Sequence, residues 1–248
     1  MRAQDVLSLS SMPPGNPSYP RGPYRFVDRE YFIIRYETDP DAIRASLPEP
    51  LEPDGSKQVL YEWINMPDSS GFGSYQESGL VIPAHFNGEA VNFTAQMYLN
   101  DEPPITAGRE IWGFPKRWGE ARLAVTRDTL TGTLEYAGQR VALGTMAYKY
   151  ESYADCLKER AERLKKTQVN LKLIPSVTSE PAIAQLVAYN LTDVTLKGAW
   201  SGPARLHLVP HVNAPVADFP VRRIIGGEHL IADLTLPYGR VLFDYLAT

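Results

Sequence analysis

Period-two alternation recurs along most of this chain, and it leaves few folds open. In Val91-Asn92-Phe93-Thr94-Ala95-Gln96-Met97-Tyr98-Leu99 the odd positions are apolar and the even ones polar or amphipathic. Successive strand side chains leave on opposite faces, so such a run is a strand with one wet face. The same pattern covers 31–36, 59–66, 131–136, 141–150, 183–190, 193–200, 205–209 and 230–236, punctuated by Gly, Pro, Asn and Asp. Two helices are expected. One covers 40–47, capped by Asp39 and stopped by Pro48. The other covers 154–167, where Leu157, Ala161 and Leu164 share one stripe among Lys and Glu. Ahead of them, residues 1–23 carry Pro13, Pro14, Pro17, Pro20 and Pro23. They read as an irregular arm laid over the body or over a neighbouring subunit. The pattern predicts an all-β-dominated chain: one antiparallel β-barrel domain over 24–248, closed on itself, with peripheral helices.

Composition narrows the function classes. The 248 residues are 44% hydrophobic and 22% charged, as in ordinary globular proteins, and suffice for one sizeable core. A formal net charge of −4 favours neither nucleic acid nor an acidic membrane surface as a partner. No apolar run approaches membrane-spanning length. Met1-Arg2-Ala3-Gln4-Asp5 lacks the apolar core of a signal peptide, and the single cysteine, Cys156, fits a reducing compartment. Cytoplasmic residence is therefore expected. Cys156 falls on the second helix with no histidine near it in sequence, and reads as a structural thiol.

Most of the familiar chemistries lack their residues. His207 and His211 are four apart, but that stretch reads as a strand running into Pro210, which spoils metal-ligating geometry; no metal site is expected. There is no Gly-rich phosphate loop and no G-x-S-x-G elbow, so nucleotide, flavin and serine hydrolase chemistry are not indicated.

One segment does carry chemistry. In Glu110-Ile111-Trp112-Gly113-Phe114-Pro115-Lys116-Arg117-Trp118, a primary amine stands between aromatic residues and beside a second cation. Burial and a neighbouring positive charge both disfavour an ammonium. A free lysine titrates near pH ~10.4, and bringing it near neutrality takes about 4–5 kcal/mol. An amine so shifted can attack a ketone to form a Schiff base. On these residues alone, a solvated Lys-Arg surface pair is the competing reading. If the segment is extended, Lys116 and Arg117 leave on opposite faces, with charges ~8–10 Å apart. At an effective dielectric near ~20 that repulsion is about 2 kcal/mol or less, so burial is expected to dominate.

Nearly the whole chain resembles the acetoacetate decarboxylase family. The stretches that carry the resemblance begin with Tyr19-Pro20-Arg21-Gly22-Pro23-Tyr24 and Asp28-Arg29-Glu30-Tyr31-Phe32. Leu47-Pro48-Glu49-Pro50-Leu51, Tyr75-Gln76-Glu77-Ser78-Gly79 and Ile82-Pro83-Ala84-His85-Phe86-Asn87-Gly88 follow in register. Then come Gly108-Arg109-Glu110, the Phe114-Pro115-Lys116 core, Leu191-Thr192-Asp193-Val194, Trp200-Ser201-Gly202-Pro203 and Phe243-Asp244-Tyr245-Leu246. A lysine activated in this manner is the known mechanism of that family, and is carried over from it. The resemblance implies Lys116 as the Schiff-base lysine and Glu77 as the carboxylate beside it. Glu77 by itself reads as an acid on a loop among Gly71, Gly73 and Gly79. The resemblance also places Glu62 and Arg29 in the site. Glu62 stands in the strand-like run Leu60-Tyr61-Glu62-Trp63-Ile64, and Arg29 is a suitable fixed partner for buried carboxylates.

The chemistry so implied is decarboxylation of a β-keto acid, acetoacetate to acetone and carbon dioxide, with no cofactor, in a homo-oligomer. One position departs from the family's best-known members: Arg117 replaces a second lysine. Arg117 is expected to orient a carboxylate such as Glu77, or to mark a reshaped pocket. A reshaped pocket would fit relatives in the superfamily that use the same lysine for aldol condensation, dehydration or hydration of pyruvate and other 2-oxo acids. A barrel that binds a carbonyl ligand without turnover is the third reading.

Overall fold

A computed structural model describes residues 1–247; residue 248, the end of the expected domain, lies outside the described residues. The strands of the first half are β1 (Tyr24–Glu37), β2 (Glu52–Pro53), β3 (Gln58–Ser69), β4 (Gly73–Phe86), β5 (Glu89–Leu99), β6 (Lys116–Trp118), β7 (Glu120–Thr126) and β8 (Thr129–Tyr136). The second half adds β9 (Gln139–Ala147), β10 (Glu151–Ser152), β11 (Gln168–Pro175), β12 (Pro181–Tyr189), β13 (Thr192–Gly202), β14 (Ala204–Leu208), β15 (Arg223–Leu236) and β16 (Arg240–Asp244). The helices are α1 (Ala3–Val6), α2 (Pro40–Ser46), α3 (Glu102–Ala107) and α4 (Leu157–Leu164). Residues between α1 and β1 are irregular. Their anchor is Tyr19, whose hydroxyl donates to Glu110 at 2.5 Å. Among the described residues no helix is long and apolar enough to cross a membrane.

Ten strands form one path, β10-β13-β15-β1-β3-β4-β5-β11-β12-β16, with β2 beside β4 and β6 beside β5. The path has two ends, at the two-residue β10 and at β16, so hydrogen bonding does not close it. Closure, expected from the alternation pattern, is replaced by curling: Tyr189 of β12 and Leu230 of β15, far apart in the path, line one cavity. Nor is the sheet wholly antiparallel. β11 and β6 both pair parallel with β5, sharing it end to end: Gln168 and Val169 face Asn92 and Phe93, while Lys116 faces Met97.

A second sheet, β14-β9-β8-β7, covers one face of the first. Phe32, Ile34, Tyr61, Trp63, Leu80 and Ile82 face it and pack on Leu130, Leu134, Val141 and Met146. Trp63 is fully buried there. Its indole lies on Gly132 and Gly144, which pair directly across β8 and β9, and a Cβ on either would stand 2.2–2.4 Å from the ring. Burying an indole this completely is worth about 5 kcal/mol. The opposite face of the first sheet lines the cavity. Residues of alternate parity on β1, β3 and β4 therefore divide between core and pocket, with Phe26 joining the pocket across a register shift in β1.

Candidate active site

The backbone carries Lys116 inward by an irregular route. Pro103 and Pro104 fill the first turn of α3, where no intrahelical N–H is lost. The helix widens into a π-turn over Gly108–Trp112, and Gly113 ends it with φ 73°. Phe114 N–H donates to Gly108 O at 3.0 Å, and Lys116 N–H to Phe114 O at 2.7 Å. Trp112 Nε1 donates to Pro237 O at 2.9 Å, and Arg109 Nη1 to Lys116 O at 3.1 Å. The lysine stem lies against Gly108, where a Cβ would stand 2.7 Å from Lys116 Cδ. Only glycine leaves room for it.

On β6 alternation sends Lys116 into the cavity, where it is 6% exposed, and Arg117 out. Arg117 donates to Asn213 O at 2.8 Å and Tyr136 OH at 2.9 Å. The expectation that it orients Glu77 is corrected: the strand's pleat points it to the other face. Of the two aromatic flanks, Phe114 is a pocket wall, 5.2 Å from Nζ, while Trp118 is largely exposed.

The acids come from the central strands, not from a loop. Glu77 lies within β4, opposite Ile64 of β3 and Leu99 of β5. The run Ser78–Ala84 around it is buried on both faces, so it carries no alternation to read. Glu77 Oε2 is 3.2 Å from Lys116 Nζ, and Oε1 is 3.5 Å from Arg29 Nη2. Glu77 Oε2, Arg29 Nε and Tyr31 OH are buried with no hydrogen-bond partner among the described residues. Ion-pair contact thus coexists with unused donors and acceptors. Glu62 of β3 lines the same cavity, whose volume is about 420 Å³ and whose inner walls are Phe26, Tyr31, Tyr75, Met97, Tyr189 and Leu230. None of these walls was singled out from sequence, because they come from strands scattered over two hundred residues. Tyr75, two positions before Glu77 on the same strand face, was the one within reach.

Burial holds the Lys116 amine below the usual lysine range; Glu77 opposes that fall, and Arg29 adds to it. Burial also pushes Glu62 up to about 7, with Arg29 opposing and Glu77 assisting. A raised carboxyl pKa stabilises the fold fully below the unfolded value, and that contribution is lost as pH rises through about 7. The loss is about 3 kcal/mol at most. Glu62→Gln removes the group. Its melting temperature relative to the parent should climb as pH is raised from ~5 to ~8. A gap that stays constant across that range would mean that Glu62 ionises like an exposed acid.

The sequence pattern of the acetoacetate decarboxylase (ADC) family matches residues 10–246. The chain belongs to the acetoacetate decarboxylase family. A protein of Paraburkholderia xenovorans (strain LB400) named acetoacetate decarboxylase is 53% identical over 247 residues, 99% of this chain and 97% of that one. A solved acetoacetate decarboxylase superposes with a TM-score of 0.95 at 43% identity, covering 99% of this chain and 100% of that one. The crystal structure of acetoacetate decarboxylase from Legionella pneumophila superposes at 0.92 with 44% identity, covering 99% and 98%. The fold of this chain is therefore the family's fold.

Proposed function

We propose that this chain decarboxylates a β-keto acid, acetoacetate, through a Schiff base on Lys116. The observation that carries the reading is a buried amine, held below its usual pKa by burial, 3.2 Å from a carboxylate at the buried, aromatic-walled end of the pocket. Relatives about half identical over the full chain carry that activity in their names, which supports acetoacetate as the substrate.

The neutral amine adds to the C3 carbonyl, and loss of water leaves an iminium. The C1–C2 bond breaks, carbon dioxide departs, and its electron pair moves into the iminium to give an enamine. A proton added at the former C2 regenerates an iminium, which water hydrolyses to acetone and the free amine. In this reading Glu77 moves protons to and from the nitrogen, and Arg29 holds Glu77. Glu62, its carboxyl pushed up to about 7, offers the substrate carboxylate less repulsion than a fully ionised acid would. Such a pocket favours loss of charge from the substrate, which is what decarboxylation does.

The 2-oxo-acid reading rested on a pocket reshaped by Arg117, and Arg117 lies outside the pocket. Product analysis tests the choice. Acetone and carbon dioxide should appear from acetoacetate, with no condensation product from pyruvate plus an aldehyde. The reverse pattern would overturn the decarboxylase reading.

A further inference from the structure

The cavity has two ends of different character. Lys116 lies opposite Met97, and Gln168 opposite Asn92, five positions along the same strand, or roughly 16 Å apart at strand rise. The inner end is buried and aromatic. The outer end opens to solvent and is lined by Arg35, Arg160, Arg163 and Lys166, with Asp54 and Glu228. Four cations face two acids there, a local positive excess on a chain whose formal net charge is −4.

Some of that charge is committed. Arg160 pairs with Glu228 at 3.0 Å and stacks on Tyr153, and Arg163 pairs with Glu159 at 3.3 Å. Asp54 is turned into its own loop, accepting from Ser56 N at 2.9 Å and Ser56 Oγ at 2.7 Å. Arg35 and Lys166 remain. Neither has a carboxylate within 4.0 Å among the described residues. Lys166 is half-buried; burial disfavours its charge most, Asp54 favours it, and Arg35 disfavours it. Two neighbouring cations with no carboxylate in contact form a site for an anion from solution.

We infer that Arg35 and Lys166 form an anion-capture site at the pocket mouth, drawing the carboxylate of the substrate in from solution. The inference rests on the proposed function for the identity of that anion. A four-carbon acid cannot reach both ends at once, so the mouth acts on approach and not during bond breaking. The field is also directional. Acetoacetate enters as an anion, whereas acetone and carbon dioxide leave uncharged and are not held.

The test measures carbon dioxide release from acetoacetate across a range of sodium chloride concentrations, for the parent, Arg35→Met/Lys166→Met, Lys166→Glu and Lys166→Arg. For the parent, kcat/KM should fall several-fold as salt rises. At low salt the double variant should be about tenfold below the parent, nearly salt-independent, with the loss in KM. Lys166→Glu should fall well below the parent, and Lys166→Arg should keep most of the parent's value. Borohydride trapping of acetone, a neutral ketone, should proceed equally in all variants. Salt-independent kcat/KM in the parent overturns the inference. So does a parallel loss of acetone trapping, which would mean damage to the pocket. A parent that forms no carbon dioxide counts against the decarboxylase reading instead. Capture is then read by calorimetry, as tighter binding of acetoacetate to the parent than to the double variant; equal binding overturns it.

Discussion

Lys116→Met should lower decarboxylation by at least about 10³-fold, because no other amine can take the role. Two other lysines are also held below their usual range by burial. Lys172 donates to Ile111 O at 3.2 Å, and Lys166 sits at the pocket mouth. Among the described residues only Lys116 combines near-complete burial of an amine with an acid at 3.2 Å. Methionine keeps the length of the stem along Gly108, and Glu77 retains Arg29, so the variant's melting temperature should stay within a few degrees of the parent's. Borohydride with acetoacetate should leave an isopropyl group on Lys116 in the parent and none in the variant. Lys116→Cys in a Cys156→Ser background, aminoethylated to restore an amine, should recover activity. An isopropyl group on Lys149 or Lys172 would move the nucleophile elsewhere, and activity of Lys116→Met within tenfold of the parent would end the Schiff-base reading.

What could be read before folding depended on how many faces of each element are wet. The segments 31–36, 59–66 and 131–136 have one buried and one wetter face, and they lie inside β1, β3 and β8. β4 has no wet face over most of its length, so the alternation rule is silent, and Glu77 was read as a loop acid. The 154–167 helix is shorter than expected, a 3₁₀ turn over Ala154–Cys156 followed by α4. α3 carries the helix-start signal Asp101-Glu102-Pro103, but six residues with two adjacent prolines are too short to show a helical period. Whether the sheet closes, and which strands pair in parallel, are long-range outcomes that no local pattern encodes. The site divides in the same way. Lys116 stands out by its neighbours in sequence. Glu77, Glu62 and Arg29 were placed with it only through the family resemblance, and the fold brings all four to one cavity. Arg117, adjacent in sequence, is excluded from it by a single step of the pleat.

Glu77→Gln separates two roles that a carboxylate beside a catalytic amine can have. If Glu77 mainly moves protons, turnover should fall by about 10²–10³-fold, the range expected for losing a positioned acid–base group. If it mainly tunes the amine, the sign runs the other way. Glu77 raises the pKa of Lys116 against the effect of burial, so its removal lets burial and Arg29 lower that pKa further. The amine is then free over a wider pH range, and Schiff-base formation is not impaired. The expected signature is a split: borohydride trapping of acetone at Lys116 as fast as in the parent at pH ~7, with its midpoint moved to lower pH, while carbon dioxide release collapses. Glutamine keeps an oxygen for Arg29 Nη2, so the fold should lose only about 1–2 kcal/mol. Trapping and turnover falling together would mean that Glu77 holds the lysine in place and nothing more. Turnover within twofold of the parent would remove Glu77 from the reaction and leave proton transfer to Glu62 or to water in the pocket.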